Sequence, residues 1–509
     1  MVAAHTWGDA MKPLQRPSLL WFGRAPRKEY ASEIAGRDMN LQIVTSQQPQ
    51  TRYARAAVFW AADTEFDATL DVLERHLVAC INEGLLVYVV VSDDVAQVTH
   101  VRQAIDALVP RHASERNVIV RSDTVSSHEL ANEALLHDPG PVLNEALTFE
   151  GDISNLTPQR KLLLQRAFSD SSILKLTPIK AGFSGASTFI VHATINASPP
   201  LPEPMPFFVK LGDSAKLLDE LTRFRRHAEH YITWNLRPNF LMEKSIYGVS
   251  EGVLIGTFVE GSKSLAECAR AGGGEKYIAA LFDETLTGWR KRADSHRGSN
   301  SVVAALAAYD RHASIPSQRV QQARLLFGGE VWAPTTLWRR LISAPRQSWL
   351  ECVMHGDMHG DNVRVRKDDA IVIDFAQADK GPACADAASL EVWLAFQSDG
   401  LDLKQWQSWV EHLYRSDIID SMLDGTTVDQ GCWIHGCLRK IRLIGRSCVL
   451  GHDEYKRVLA VFLLRHASFE ASPSDAEADE FRRCFAYWLV NRLVMSFATE
   501  AKNPQVETA

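Results

Sequence analysis

The stretch ECVMHGDMHGDNVRVRKDDAIVIDFAQAD, residues 351–379, constrains this chain more than any other. An apolar approach delivers His355, Asp357, His359 and Asn362 within one short polar run. Two brief apolar runs around KDD then read as a strand pair and return a further acid, Asp374. Asp357 and Asn362 are five positions apart, and Asp374 follows Asp357 by seventeen. With that spacing a loop can present a base and a metal ligand, while a hairpin brings a second metal-binding carboxylate back to the same point. A polar loop beside a hairpin fits the same letters, but two polar clusters bracketing VRVRKDDAIVI have no packing purpose.

Such a set suits transfer of a γ-phosphoryl group, which asks a protein for positioning, charge neutralisation and a group that orients the attacking hydroxyl. The parts upstream come in the required order. KAGFSGASTFIVHA (180–193) reads as strand, tight turn, strand, in which Gly182 and Gly185 let the backbone approach phosphates and Ser184 is a donor; a plain hairpin is the competing reading. FFVK places Lys210 at the end of an apolar strand, within reach of phosphate oxygens or simply solvated. The helical pattern KLLDELTRFRRHAEHYI (216–232) follows, with Glu220 placed to pair with Lys210 and Glu229 as the competitor. VLIGTFVEG (253–261) is a buried strand running into a turn, where Thr257, Phe258 and Val259 would form a hinge for an adenine ring; an ordinary core strand has the same letters.

HGDMHGDN followed by IDF resembles the catalytic and metal-binding loops of the aminoglycoside phosphotransferase and choline kinase group, a branch of the protein-kinase-like fold. The resemblance covers roughly 171–395, and the GFSGA glycine loop is also similar to a bacterial kinase-like domain described as ternary-complex-associated. It implies a bilobal protein-kinase-like domain with an N-lobe at 166–260 and a helical C-lobe at 261–500, the catalytic loop lying at 351–379. It further implies ATP as donor, Asp357 as the catalytic aspartate facing an acceptor hydroxyl, Asn362 and Asp374 as Mg2+ ligands, His355 as a brace of the loop, and Asp386 as a structural acid opening the next helix. Gly360 and Asp361 replace the proline or small residue usual at the open positions of the family's HGDxHxxN pattern, and the glycine loop is shorter than that of protein kinases.

Residues 17–140 alternate strand-like runs (SLLWFG, LQIVTS, RAAVFWAA, LLVYVVVS, NVIVRS) with helical ones, which implies a parallel sheet covered on both faces. The expected fold class is thus α/β plus α+β, with an N-terminal flavodoxin-like domain ahead of the kinase-like one. The order of elements resembles a response-regulator receiver. Its acidic pair is missing, since the matching stretches read WFGR and VRSD, so Asp63 lacks the partners a phosphoacceptor needs. A degenerate receiver-like domain that contacts a protein partner is expected, joined by a linker at 141–165. A proline-rich loop at 196–206 joins two strands.

A chain of 509 residues splits into two or three folding units. The net charge of −7 argues against a nucleic-acid partner. No run of about 18 uncharged apolar residues occurs, so no membrane is expected and the protein is read as cytoplasmic. The eight cysteines are scattered, as reduced buried thiols are; Cys432, His435 and Cys437 are read as helix core rather than as a metal site. Helices from 396 to 500 carry Trp406, Trp409, Trp433 and Trp488, and just before them stands Trp393; all are read as core before any amine-binding cage. Arg439, Lys440, Arg442 and Arg446 read as a solvated face before an anion site. The acceptor is a hydroxyl of a small molecule or a protein. A non-catalytic nucleotide-binding scaffold and an AMP transferase are the rival readings.

Overall fold

The computed structural model describes residues 16–44, 49, 51, 53–62, 66–136, 143–154, 156–179, 186–196, 205–296, 301–343, 347–397, 402–421, 433–472 and 475–500. Its chain divides into two compact units, residues 1–219 with 239–260, and residues 220–238 with 261–509.

The first unit opens with β1 (Ser18–Gly23), β2 (Asn40–Ile43), β3 (Ala54–Trp60), β4 (Leu86–Val91) and β5 (Val118–Ser122) in one parallel sheet of order β2-β1-β3-β4-β5. β3 and β4 are buried along their whole length, which is why they read as unbroken apolar runs. Alternate side chains serve opposite faces. Leu20, Phe22, Phe59, Val87 and Val89 pack with Leu73, Leu77 and Ile105 from the helices Phe66–Asn82 and Val95–Leu108. Trp21, Val58, Trp60, Tyr88 and Val90 pack on the other side with Tyr30, Ile34 and Leu130 from Lys28–Gly36 and Ser127–Leu136. The sheet is therefore doubly covered, as the alternation predicts.

A second sheet follows in the same unit, formed by β6 (Thr148–Gly151), β7 (Ser171–Pro178), β8 (Ser187–Ile195), β9 (Phe207–Asp213), β10 (Ile246–Tyr247) and β11 (Glu251–Thr257), in the order β10-β11-β9-β8-β7-β6. All pairs are antiparallel except β6 with β7. The edge strand β6 lies inside the stretch read as linker. Segment 196–206 does join neighbouring antiparallel strands, β8 and β9. The helix Pro158–Ala167 covers one face, with Leu163, Leu164 and Phe168 packed on Leu174, Val191, Val209 and Val253.

The two sheets are joined by buried polar contacts. Arg166, only 3% exposed, donates to the carbonyls of Ala54 (3.0 Å) and Thr51 (3.1 Å) and lies 3.7 Å from Glu83. Asn117 Nδ2 donates to Tyr247 O at 2.9 Å, and the Val249 amide to Asn82 Oδ1 at 2.8 Å. Charged and amide groups leave water only where partners meet them, so this surface is a built joint.

The second unit is mainly helical, with two small sheets. β12 (Lys263–Ser264) pairs with β15 (Val363–Arg366), which pairs with β16 (Asp369–Val372); β13 (Asp294–His296) pairs with β14 (Trp349–Met354), which pairs with β17 (Asp379–Pro382). Around them stand the helices Ala385–Ala395, Trp433–Arg446, Glu454–Ser468 and Ala476–Glu500. Among the described residues no helix is long and apolar enough to cross a membrane.

Candidate functional site

β14 runs into the loop 355–362, and the β15–β16 hairpin carries the chain back, with Val363 paired to Val372. The next pair outward continues this register: the Ile373 amide donates to Asn362 O at 2.9 Å, which sets Asp374 beside the end of the loop. The return expected from the letters VRVRKDDAIVI is present.

The loop itself is held by its own polar groups. His355 is fully buried; its backbone amide donates to Asp386 Oδ2 (2.7 Å), and the Gly356 amide donates to Asp386 Oδ1 (3.0 Å). His355 Nε2 lies 2.9 Å from Ile373 O, and its Nδ1 faces the Asp357 amide at 3.4 Å. With Nε2 facing a carbonyl and Nδ1 facing an amide, Nε2 is the donor, so His355 ties the start of the loop to the residue before Asp374. Asn362 Nδ2 donates to Asp357 O at 2.9 Å. Asp386 opens the helix Ala385–Ala395; burial raises its pKa, against the two amides that favour the ionised form.

Asp374 has φ +64°, a left-handed conformation that side chains other than Gly seldom adopt. Phe375, completely buried after it, packs edge-on against Phe224 (5.5 Å) and Trp289 (6.3 Å) and tilts toward His355 (5.4 Å). Three aromatic contacts thus fix the turn that bears the acid.

Two glycines are required by what approaches them. Gly356 has φ +78°, and a Cβ there would sit 2.1 Å from Tyr309 Oη and 2.5 Å from Gln377 O. At Gly360 a Cβ would meet Trp393 Cζ3 at 2.4 Å, so a side chain there would displace the indole. Gly356→Ala combines a left-handed penalty of about 1–2 kcal/mol with overpacking of about 1–3 kcal/mol. A lower unfolding midpoint is expected by circular dichroism, with loss of any function of the loop.

Asp357 is 35% exposed at its side chain, and Arg465 from the helix Glu454–Ser468 holds it: Nη2 donates to Asp357 Oδ1 at 2.9 Å and Nη1 to Gly356 O at 3.2 Å. His359 Nε2 lies 4.0 Å from Asp357 Oδ2, and the His359 ring stacks on Trp393 at 5.6 Å. Burial keeps the His359 pKa below its ordinary value, with Asp357 opposing. Asp361 is exposed.

The structure therefore brings together His355, Asp357, His359, Asn362, Asp374 and Asp386. Lys210 stands mid-strand in β9, paired on either side with Leu254 and Thr188, and is 3% exposed, so neither a strand end nor a solvated lysine describes it. It belongs to the first unit with Thr257, Phe258 and Val259, whereas Glu220, 2% exposed, belongs to the second. The helix Ser214–His227 ends before Glu229, which falls in the following turn. Gly182, Ser184, Gly185, Asp63 and Cys432 lie outside the described residues. Arg442 corrects the reading of a solvated face: it is fully buried against Glu391. Trp406 and Trp488 are core, whereas the Trp393 indole is stacked on His359 of the loop.

Arg465 and Tyr309 were not anticipated. For Arg465 the signal was an arginine in the apolar helix VLAVFLLRHAS, because a charge at such a position requires a partner. Tyr309 left no such mark.

The family model described as the phosphotransferase enzyme family matches residues 278–416, which include the whole loop and Asp374. No curated protein matches the chain. Similar solved structures include an amicoumacin kinase in complex with AMP-PNP, Ca2+ and Ami, at 11% identity over 65% of this chain and 88% of that one, with a TM-score of 0.37. An aminoglycoside phosphotransferase from Streptomyces rimosus is similar at 18% identity over 56% and 97%, TM-score 0.30. A choline kinase from Cryptosporidium parvum is similar at 10% identity over 65% and 90%, TM-score 0.30. At these scores the structural likeness is loose, and the family match over the loop is the stronger finding.

Proposed function

We propose that this chain is an ATP- and Mg2+-dependent phosphotransferase of the aminoglycoside phosphotransferase and choline kinase-like type, acting on a hydroxyl of a small molecule or a protein. One observation supports the reading: the loop 355–362 is pinned by Asp386 and His355, Asn362 is bonded to Asp357, and Asp374 follows the residue whose amide meets Asn362, all within a segment that matches the phosphotransferase family.

The donor set fits the metal. An amide oxygen and a carboxylate are hard oxygen ligands, and Mg2+ binds through few protein groups because it keeps waters and phosphate oxygens. Among the described residues no group of three or more His, Cys, Asp or Glu side chains is arranged to hold a metal ion by itself. When bound, the ion would neutralise charge on the phosphates. Asn362 and Asp374 hold it. Asp357 orients the acceptor hydroxyl and accepts its proton as the new O–P bond forms and the bond from the γ-phosphorus to the ADP oxygen breaks. His359 lines the same loop, its pKa held below the ordinary value by burial. Lys210, Gly182, Ser184 and Gly185 are assigned to the donor phosphates, Glu220 to support of Lys210, and Thr257, Phe258 and Val259 to the adenine.

The N-terminal sheet order, 2-1-3-4-5, is the flavodoxin-like one. Gly23 and Arg24 end its first strand where a receiver has acids, so we assign this domain to partner contact or regulation rather than to phosphoryl acceptance.

Incubation with ATP labelled at the γ or the α position tests the reading against a panel of hydroxyl compounds. Transfer of γ-label is expected, and Lys210→Ala should weaken ATP binding by about tenfold or more. Transfer of α-label would make the protein an AMP transferase. Binding of ATP without any turnover would make it a scaffold.

A further inference from the structure

The Gly356 peptide is gripped from both sides. Its N–H is held by the buried carboxylate of Asp386 and its carbonyl by Arg465, whose other nitrogen holds the carboxylate of the adjacent Asp357. The guanidinium that does this lies over the Tyr309 ring at 5.2 Å and the Phe469 ring at 5.7 Å, and is 15% exposed. Arg465 stands 108 positions after Asp357, well beyond the segment matched by the phosphotransferase family.

A single ion pair whose carboxylate is one-third exposed adds at most about 1 kcal/mol to stability. A cation on a general base also makes the base weaker. Neither effect explains the arrangement, whereas orientation does: phosphoryl transfer through a loose transition state needs little basicity and accurate placement of the hydroxyl. With Oδ1 taken by Arg465, the carboxylate keeps one rotamer and presents Oδ2, on the side of His359, to the acceptor.

Building on the phosphotransferase reading, we infer that Arg465 is a positioning residue for phosphoryl transfer, acting through Asp357 and Gly356. The helix Glu454–Ser468 is thereby part of the catalytic apparatus and not only its scaffold. A lysine cannot replace this arginine fully, because one ammonium does not span a carboxylate and a carbonyl in a fixed plane.

The test uses the full chain and water as acceptor, following phosphate release from Mg-ATP, with a fluorescent ATP analogue to measure nucleotide binding. Arg465→Ala should lower the rate about 100-fold, the scale of loss from a small misplacement, with nucleotide affinity within about twofold. Arg465→Lys should recover part of the rate. Because the arginine acts through Asp357, Arg465→Ala added to Asp357→Asn should cause no further loss. Hydrogen exchange at residues 356–358 should quicken in Arg465→Ala while β15 and β16 stay protected.

A rate for Arg465→Ala within about threefold of wild type, with Asp357→Asn inactive, overturns this role and leaves the phosphotransferase reading intact. An additive loss in the double variant, with a lowered unfolding midpoint, also overturns it in favour of plain structural support. Turnover by Asp357→Asn at the wild-type rate overturns the reading of the site and this role with it. Wild-type protein that binds ATP and transfers phosphate neither to water nor to any compound of the hydroxyl panel overturns the reading, and unchanged exchange at 356–358 then overturns the brace itself.

Discussion

Asp357→Asn is expected to lower phosphoryl transfer by about 10²–10⁴-fold, the range for loss of a positioned general base, while ATP binding stays close to wild type. The asparagine oxygen can still accept from Arg465 Nη2, now 2.9 Å from Asp357 Oδ1, so the loop should keep its shape. The backbone carbonyl of residue 357, which receives Asn362 Nδ2 at 2.9 Å, is untouched. What the variant loses is the second oxygen as a proton acceptor. Transfer of γ-label and nucleotide affinity, measured side by side, separate the two effects. More than a tenth of the wild-type rate, with the fold intact, would remove Asp357 from the chemistry.

Glu391→Ala should cause the largest loss of stability. Glu391 and Arg442 are both fully buried; Oε1 receives Arg442 Nε at 3.0 Å and Nη2 at 2.8 Å, and Oε2 receives the Tyr455 hydroxyl at 2.7 Å. Removing the carboxylate leaves a guanidinium in a dry core with the Leu413 carbonyl, 2.9 Å from Nη2, still accepting from it. Breaking such a pair from one side costs about 3–5 kcal/mol, which a urea titration followed by circular dichroism would register as an earlier midpoint. Replacing both partners, as in Glu391→Leu with Arg442→Met, should be better tolerated than either change alone, since apolar groups of similar volume need no compensation. The single variant should also impair function. Glu391 sits on the helix that carries Asp386 in its first turn, so loosening the helix releases the His355 and Gly356 amides.

The parallel N-terminal sheet was legible because strands buried on both faces must be apolar throughout, and β3 and β4 are. The helix Lys28–Gly36 coincides with the periodic run KEYASEIAG for the same reason of burial on one side. Where local pattern misled, burial was decided elsewhere. Lys210 looked like a strand end because FFVK is followed by LGD, yet β9 continues to Asp213 and neighbouring strands flank the lysine. Arg442 looked solvated among Arg439, Lys440 and Arg446, yet it turns inward to an acid 51 positions earlier in the chain.

The loop and its hairpin were determined by the sequence alone, because their geometry is local: short polar turns, two short strands and the register Val363 to Val372 suffice to place Asp374 near Asn362. Which charges meet that loop was decided only by tertiary structure. Asp386 reaches it across 31 residues and Arg465 across 108, and both arrive on helices whose packing no periodicity encodes. A hydrogen bond depends on separation in space, and between distant segments that separation is set by how whole helices bury their apolar faces.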